Sequence, residues 1–176
     1  MAEWPPEKMA RWVTLYADAG WKDGRAKCGF IARGTADPVW LKGSGGVSCD
    51  SSAAAELIAV LHGIRQVHAA FGPNIEEGLE GLFVRTDCLA VVDKLKGHRN
   101  KKKREYHLTR TDGDFGRALK TTYELIEELN ITLLVKHVRA HGRERDDVRR
   151  WMNQQADRLG NMRAPRSRAT TKRGST

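Results

Sequence analysis

Residues 12–33 read WVTLYADAGWKDGRAKCGFIAR, and this stretch predicts the start of a β-sheet. Residues 12–17 alternate in a way that predicts a strand, and residues 20–24 hold the glycines and the aspartate of a turn. The apolar run at 28–33 then predicts the returning strand of a hairpin. Asp18 therefore stands directly at the end of the first strand.

Beyond the hairpin, strands and helices alternate. The periodicity predicts strands at 39–42, 82–86 and 131–138, and helices at 51–71, 89–95, 119–129 and 152–159. Segment 43–46 is predicted to be a loop, because no Lys-Ser/Thr pair and no immediate helix follows it, as a phosphate cradle would require. This order predicts an α/β fold with a mixed sheet and helices packed on its faces.

The 176 residues suit one domain, and their net charge of +9 is unevenly distributed. Residues 94–110 carry eight Lys or Arg and one acid, a net charge of +7. Residues 163–176 carry five Lys or Arg and no acid, which leaves −3 for the rest of the chain. A mildly acidic body with two basic segments indicates a polyanionic partner.

Cysteine usage and hydropathy indicate where the protein works. Three cysteines without a Cys-x-x-Cys pair predict neither a disulfide framework nor a zinc knuckle, and favour a reducing compartment. No apolar run is long enough to cross a bilayer, and residues 1–8 lack the apolar core of a targeting signal. We therefore expect a cytoplasmic protein without a membrane partner. Nothing in the sequence requires more than a monomer.

Four carboxylates stand at or near the ends of predicted elements. Asp18 and Asp87 each follow a strand, Glu56 lies in the first turn of the long helix, and Asp157 lies in the last helix. Singly, each has a plain alternative as a turn residue, a partner of the helix dipole or a surface charge. If the fold gathers them, they must share hard cations such as Mg²⁺, which prefer oxygen ligands. Without metal, at least one of these carboxyls should have a raised pKa.

Five segments in chain order carry a family resemblance. They are residues 13–20 (VTLYADAG), 51–57 (SSAAAEL), 85–87 (RTD), 138–141 (VRAH) and 153–159 (NQQADRL). Together they resemble the motifs of ribonuclease H, type 1, over nearly the whole domain. The resemblance implies the ribonuclease H-like fold, a five-stranded mixed β-sheet flanked by α-helices. It also implies endonucleolytic cleavage of the RNA strand of RNA/DNA hybrids with two Mg²⁺ ions, or Mn²⁺, leaving 5′-phosphate and 3′-hydroxyl ends.

The resemblance also implies roles for individual residues. Asp18 would bridge both metal ions, Glu56 and Asp87 would complete one side of the site, and Asp157 would complete the other. His141 occupies the position of a mobile-loop histidine, which would assist proton handling and product departure because an imidazole titrates near neutral pH. The alternative for His141 is an ordinary loop residue.

Substrate contacts are expected at two places. The basic segment 94–110, with Lys101, Lys102, Lys103 and Arg104, corresponds to a hybrid-binding protrusion, although a solvated flexible loop is the alternative. The start of the long helix, Ser51 and Ser52, is expected to contact the hybrid, and Asn153 is assigned to substrate binding as well. Ala53 departs from the family pattern, in which a polar amide is common.

The expected organisation is an N-terminal extension at 1–11, the ribonuclease H domain at 12–162 and a basic disordered tail at 163–176. Loop 142–152 is expected to be longer than usual, with Trp151 as its anchor. His137 is interpreted as structural or surface, because the β-rich segment before it argues against a helical metal-binding pair with His141.

Two other functions remain open on these residues. One is a DNA nuclease of resolvase or integrase type on the same fold, although such enzymes usually lack the paired motifs at 139–141 and 153–157. The other is a noncatalytic hybrid-binding module, in which at least one acid would be expected to be missing.

Overall fold

The computed structural model describes residues 12–34, 40–71, 79–138 and 147–160. At residues 40, 71 and 147–153 it describes the backbone alone. The strands are β1 (Trp12–Lys22), β2 (Arg25–Gly34), β3 (Trp40–Ser48), β4 (Gly81–Thr86) and β5 (Thr132–His137). The helices are α1 (Ser52–Phe71), α2 (Leu89–Lys96), α3 (Lys101–Thr109), α4 (Gly113–Leu129) and α5 (Asp147–Gly160).

The strands form one mixed sheet in the order β3-β2-β1-β4-β5. Strands β1, β2 and β3 are antiparallel neighbours, whereas β4 pairs in parallel with both β1 and β5. The predicted α/β fold with a five-stranded mixed sheet is therefore confirmed.

Helices cover both faces of this sheet. Leu15 and Ala17 point into the main core with residues of α1 and α4, whereas Tyr16 packs with Ala156 of α5 on the opposite face. Because side chains alternate along a strand, Asp18 shares the α5 face with Tyr16. The prediction that Asp18 ends the first strand is wrong, because β1 continues to Lys22. Asp18 lies inside β1 and faces the last helix.

Helix α1 begins where the sequence predicts. The Ser51 hydroxyl accepts a hydrogen bond from the Ala54 backbone N–H at 3.2 Å, which satisfies one of the free donors of the first turn. Leu57, Val60 and Ile64 are fully buried at helical spacing. Glu56, expected in the first turn, is the fifth residue of the helix and lies in the second turn.

The prediction of a loop at 43–46 is wrong, because this glycine-rich segment lies within β3. Its backbone pairs with β2, and Gly43 lies opposite Phe30. A Cβ at Gly43 would come within 2.6 Å of the Phe30 ring, so glycine makes room for the aromatic side chain there. The hairpin turn also contracts to Asp23 and Gly24, both at positive φ, and leaves Gly20 inside β1.

The basic segment 94–110 is not a solvated loop in its central part, since residues 101–109 form α3. Asn100 caps this helix by accepting a hydrogen bond from the Lys103 N–H at 3.1 Å. Arg104 lies 3.6 Å from Glu127 of α4, and His107 is buried. The protrusion is therefore a helix attached to the domain.

The predicted loop 142–152 is wrong for residues 147–152, which already belong to α5. The many charged residues in this segment have the composition of a loop, although the segment forms the first turns of the helix. The expected helix at 152–159 is confirmed as the later part of α5. The predicted extension at 1–11, the tail at 163–176 and the Trp151 side chain lie outside the described residues. No helix among the described residues is long and apolar enough to cross a membrane.

Candidate active site

Three of the predicted carboxylates meet at one end of the sheet. Asp18 comes from β1, Glu56 from α1, and Asp87 from the residue after β4. One oxygen from each lies within 4.8 Å of the others. The parallel pairing of β1 and β4 explains the meeting of the two aspartates, because Tyr16 pairs with Arg85 and each aspartate lies two residues further along its chain segment.

Asp157 approaches this group from α5. It is close enough for its charge to help raise the pKa of Asp18, although Asp157 itself is exposed. The approach depends on close packing, because a Cβ at Gly29 would come within 2.5 Å of Leu159 Cβ. Likewise, a Cβ at Gly160 would come within 2.7 Å of the Asp18 carbonyl oxygen. Two glycines therefore allow α5 to lie directly on the sheet.

The crowding changes how the acids titrate. Burial is the largest cause that raises the pKa of Asp18 to about 7, followed by the charges of Asp87 and Asp157. Burial likewise raises the pKa of Glu56 to about 9, helped by the charges of Asp18 and Asp87. The prediction that at least one carboxyl would have a raised pKa is confirmed.

The three-acid group fits a hard divalent cation. Glu56 Oε2 is buried and has no hydrogen-bond partner among the described residues, so its lone pairs are unused. A cation beside Glu56 would supply the missing partner and offset the repulsion that raises its pKa. Asp18, Glu56 and Asp87 are the residues that could hold it.

Hydrogen bonds of Asp87 and of its neighbours fix the backbone at this position. The Cys88 N–H donates to Thr86 Oγ1 at 3.2 Å, and the Val138 N–H donates to the Thr86 carbonyl at 3.0 Å. His137 Nε2 lies 2.9 Å from the carbonyl oxygen of Asp87. Since a carbonyl only accepts, Nε2 carries the proton in this contact.

His137 is thus a support of the site that the sequence did not reveal. Its structural interpretation agrees with the hydrogen bond, but its place beside Asp87 was not foreseen. The contact follows from the parallel register that pairs His137 with Thr86. No spacing within the sequence links residues fifty positions apart, so only strand pairing exposes this support.

The predicted substrate-binding residues are spread over two helices. Ser51 caps α1 and is half-buried, while Ser52 is exposed at the start of the same helix that carries Glu56. On α3 the first-turn lysines are exposed, namely Lys101, Lys102 and Lys103, whereas Arg104 is half-buried beside Glu127. His141 and the side chain of Asn153 lie outside the described residues.

Comparison with known proteins gives matches among solved structures. No protein-family model and no curated protein sequence matches the chain. A ribonuclease H1 isolated from compost by a metagenomic approach, LC11, aligns over 85% of this chain and 92% of its own, with 15% identity and a TM-score of 0.61. The fold is that of ribonuclease H.

Other structures with the ribonuclease H fold agree. Ribonuclease H1 of the halophilic archaeon Halobacterium salinarum aligns over 84% of this chain and 93% of its own, with 18% identity and a TM-score of 0.56. LC11 ribonuclease H1 in complex with an RNA/DNA hybrid aligns over 83% and 97%, with 13% identity and a TM-score of 0.58. The fold implied by the sequence motifs is therefore confirmed.

Proposed function

We propose that this protein is a metal-dependent ribonuclease H that hydrolyses the RNA strand of RNA/DNA hybrids and leaves 5′-phosphate and 3′-hydroxyl ends. The observation that carries the proposal is the convergence of Asp18, Glu56 and Asp87 on a ribonuclease H fold. The hybrid complex of the similar LC11 enzyme supports the choice of substrate.

In this proposal four acids hold two Mg²⁺ ions, for which Mn²⁺ can substitute. Asp18, Glu56 and Asp87 would hold one ion, and Asp18 with Asp157 would hold the other. When bound, the ions make a water nucleophilic and stabilise the leaving oxygen. Because burial and the charges of Asp87 and Asp157 raise the pKa of Asp18, binding of cations would favour release of the Asp18 proton.

The remaining residues act on the substrate. Ser51 and Ser52 offer hydroxyls to the nucleic acid at the start of α1, where the helix dipole also favours phosphate. Helix α3 supplies positive charge for the hybrid backbone through the exposed Lys101, Lys102 and Lys103. Arg104, which is half-buried beside Glu127, adds to this charge. Asn153 is proposed to contact substrate, and His141 to handle protons and assist product departure.

The test is incubation with end-labelled RNA/DNA hybrid, duplex DNA and duplex RNA, each with Mg²⁺ or with EDTA. We expect cleavage of the hybrid alone, on its RNA strand, and only with Mg²⁺. Asp87→Asn should lower the rate by at least about a hundredfold, since a neutral amide is a poor ligand for a hard cation. Asp93→Asn is the matched control, because Asp93 is exposed on α2.

Each other outcome has a distinct meaning. Cleavage that persists in EDTA, or that survives Asp87→Asn, would refute the metal-site assignment. Cleavage of duplex DNA in place of the hybrid would favour a nuclease of resolvase or integrase type. Tight hybrid binding without any cleavage would favour the noncatalytic binding module.

A further inference from the structure

A shallow groove of about 590 Å³ lies on the β2–β3 hairpin. It is lined by Arg25, Ala26, Lys27 and the β3 residues 44–48. Arg25 is exposed and Lys27 half-buried, while Ser44 and Ser48 contribute exposed hydroxyls. Among the residues that the structure describes, no carboxylate lines it, although the chain outside its two basic segments carries a net charge of −3.

The strand register places the polar lining on the face that carries Asp18. Asp18 pairs with Gly29, and Gly29 pairs with Ser44. Two residues further along β1, the next row on this face contains Lys27 and Gly46, and the row after that contains Arg25. The two cations therefore continue from the candidate active site along the same side of the sheet.

These rows lie close to the candidate cleavage site. At about 3.4 Å per residue, Lys27 and Arg25 lie roughly 7 and 14 Å beyond Asp18 along the strand direction. Each strand of a duplex carries one phosphate per about 3.4 Å of its helix axis, so a duplex held at Asp18 has phosphates within this range of distances.

Gly46 leaves part of the groove free of side chain. On the face that carries Asp18, a Cβ at Gly46 would meet only the Ala26 carbonyl at 3.9 Å among the described residues. Gly45 pairs with Cys28 and faces the other side of the sheet. The C-terminal residues 163–176 are an unsuitable occupant, because their five cations would repel Arg25 and Lys27.

We propose that this groove binds the phosphodiester backbone of the nucleic acid beside the cleavage site. The inference rests on the proposed function and adds a second cationic contact, separate from α3. Arg25 and Lys27 pair with phosphates, and the hydroxyls of Ser44 and Ser48 donate hydrogen bonds to them. The contact is independent of sequence, since it reads only the backbone.

The test is fluorescence anisotropy of a labelled RNA/DNA hybrid with the full chain in EDTA, at several salt concentrations. For Arg25→Gln/Lys27→Gln we expect binding to weaken by about three- to tenfold at 0.1 M salt. The slope of log K against log [salt] should become shallower by about 1 to 2, as expected for the loss of one or two phosphate contacts. Arg65→Gln is the matched control, because Arg65 is exposed on α1 and that helix covers the opposite face.

A second pair of variants does not depend on removing a cation. Gly46→Glu places a carboxylate in the groove, whereas Gly46→Gln places a neutral side chain of the same size there. We expect Gly46→Glu to weaken hybrid binding at least as much as the double variant, and clearly more than Gly46→Gln. Equal melting temperatures of the two Gly46 variants would show that the difference in binding is electrostatic.

The wild-type protein is assayed for Mg²⁺-dependent cleavage of the same hybrid, which separates the two proposals. If the wild type cleaves while both groove variants bind with unchanged affinity and salt slope, the groove inference is overturned and the proposed function stands. If the wild type binds the hybrid through the groove but cleaves nothing, the proposed function fails alone.

Discussion

At the scale of single residues, Glu56 connects stability with metal binding. Its carboxyl has an ordinary pKa of 4.5, and burial raises the pKa in the folded protein to about 9. The protonated form is therefore favoured by folding. Its contribution to stability is complete below pH 4.5 and is lost as the pH rises through about 9. Without metal, the folded protein should become less stable across this range.

Glu56→Gln should therefore stabilise the metal-free protein at pH 8, because the amide cannot ionise. We expect the free energy of unfolding in EDTA to rise by on the order of 1–3 kcal/mol at pH 8, with little change at pH 4.5. Urea unfolding at both pH values measures this difference. Glu128→Gln is the control, since Glu128 is exposed on α4.

Mg²⁺ should reverse the order at pH 8. The wild type gains stability from a ligand that binds only the folded state, and Glu56→Gln loses much of that gain. A wild-type protein that gains nothing from Mg²⁺ would contradict a metal site at Glu56. Equal stability of Glu56→Gln and the wild type in EDTA at pH 8 would contradict the raised pKa.

At the scale of elements, α3 carries three lysines at its N-terminal end, where the helix dipole is unfavourable for cations. Lys101, Lys102 and Lys103 occupy its first turn. The helix is instead held by its Asn100 cap and by Arg104 beside Glu127. An arrangement that costs stability is expected where the charges serve binding.

Changing the three lysines to glutamine should separate binding from stability. We expect the melting temperature to stay the same or rise slightly, while KM for the hybrid increases several-fold at about 0.1 M salt. Steady-state cleavage and a thermal melt measure the two effects. Lys120→Gln on α4 is the matched exposed control. An unchanged KM would make α3 a bystander in substrate binding.

At the scale of the whole molecule, the packing of α5 on the sheet completes the candidate site. Gly29→Ala should push this helix away, because the new Cβ would meet the backbone of Gly160 and Leu159 Cβ at 2.5 Å. We expect a loss of about 1–3 kcal/mol in the free energy of unfolding. Cleavage should fall at least about tenfold, since Asp157 would move away from Asp18.

Gly45→Ala is the control for this prediction, because a Cβ at Gly45 meets nothing within 4 Å. Urea unfolding and hybrid cleavage, at a temperature where both variants are folded, measure the two effects. A Gly29→Ala protein that matches Gly45→Ala in stability and rate would show that α5 tolerates displacement without affecting the site.

Much of this architecture was predictable because its signals are local. Alternation marked β1, the apolar run after the turn marked β2, and helical periodicity with the Ser51 cap marked α1. The signals failed where local composition misleads. The glycines of β3 resemble a loop, and the charged start of α5 resembles an exposed linker, yet strand pairing and helix continuity prevail in both.

The sequence by itself determined the kinds of residues available for chemistry, their order and the elements that carry them. Four acids in a family-like order and a separate basic segment follow from it alone. Only the tertiary structure decided which groups meet. The His137 support of Asp87, the raised pKa of Glu56 and the groove beside β3 all depend on strand register and helix packing. Burial and Coulomb interactions act through space, so spacing along the chain does not reveal them.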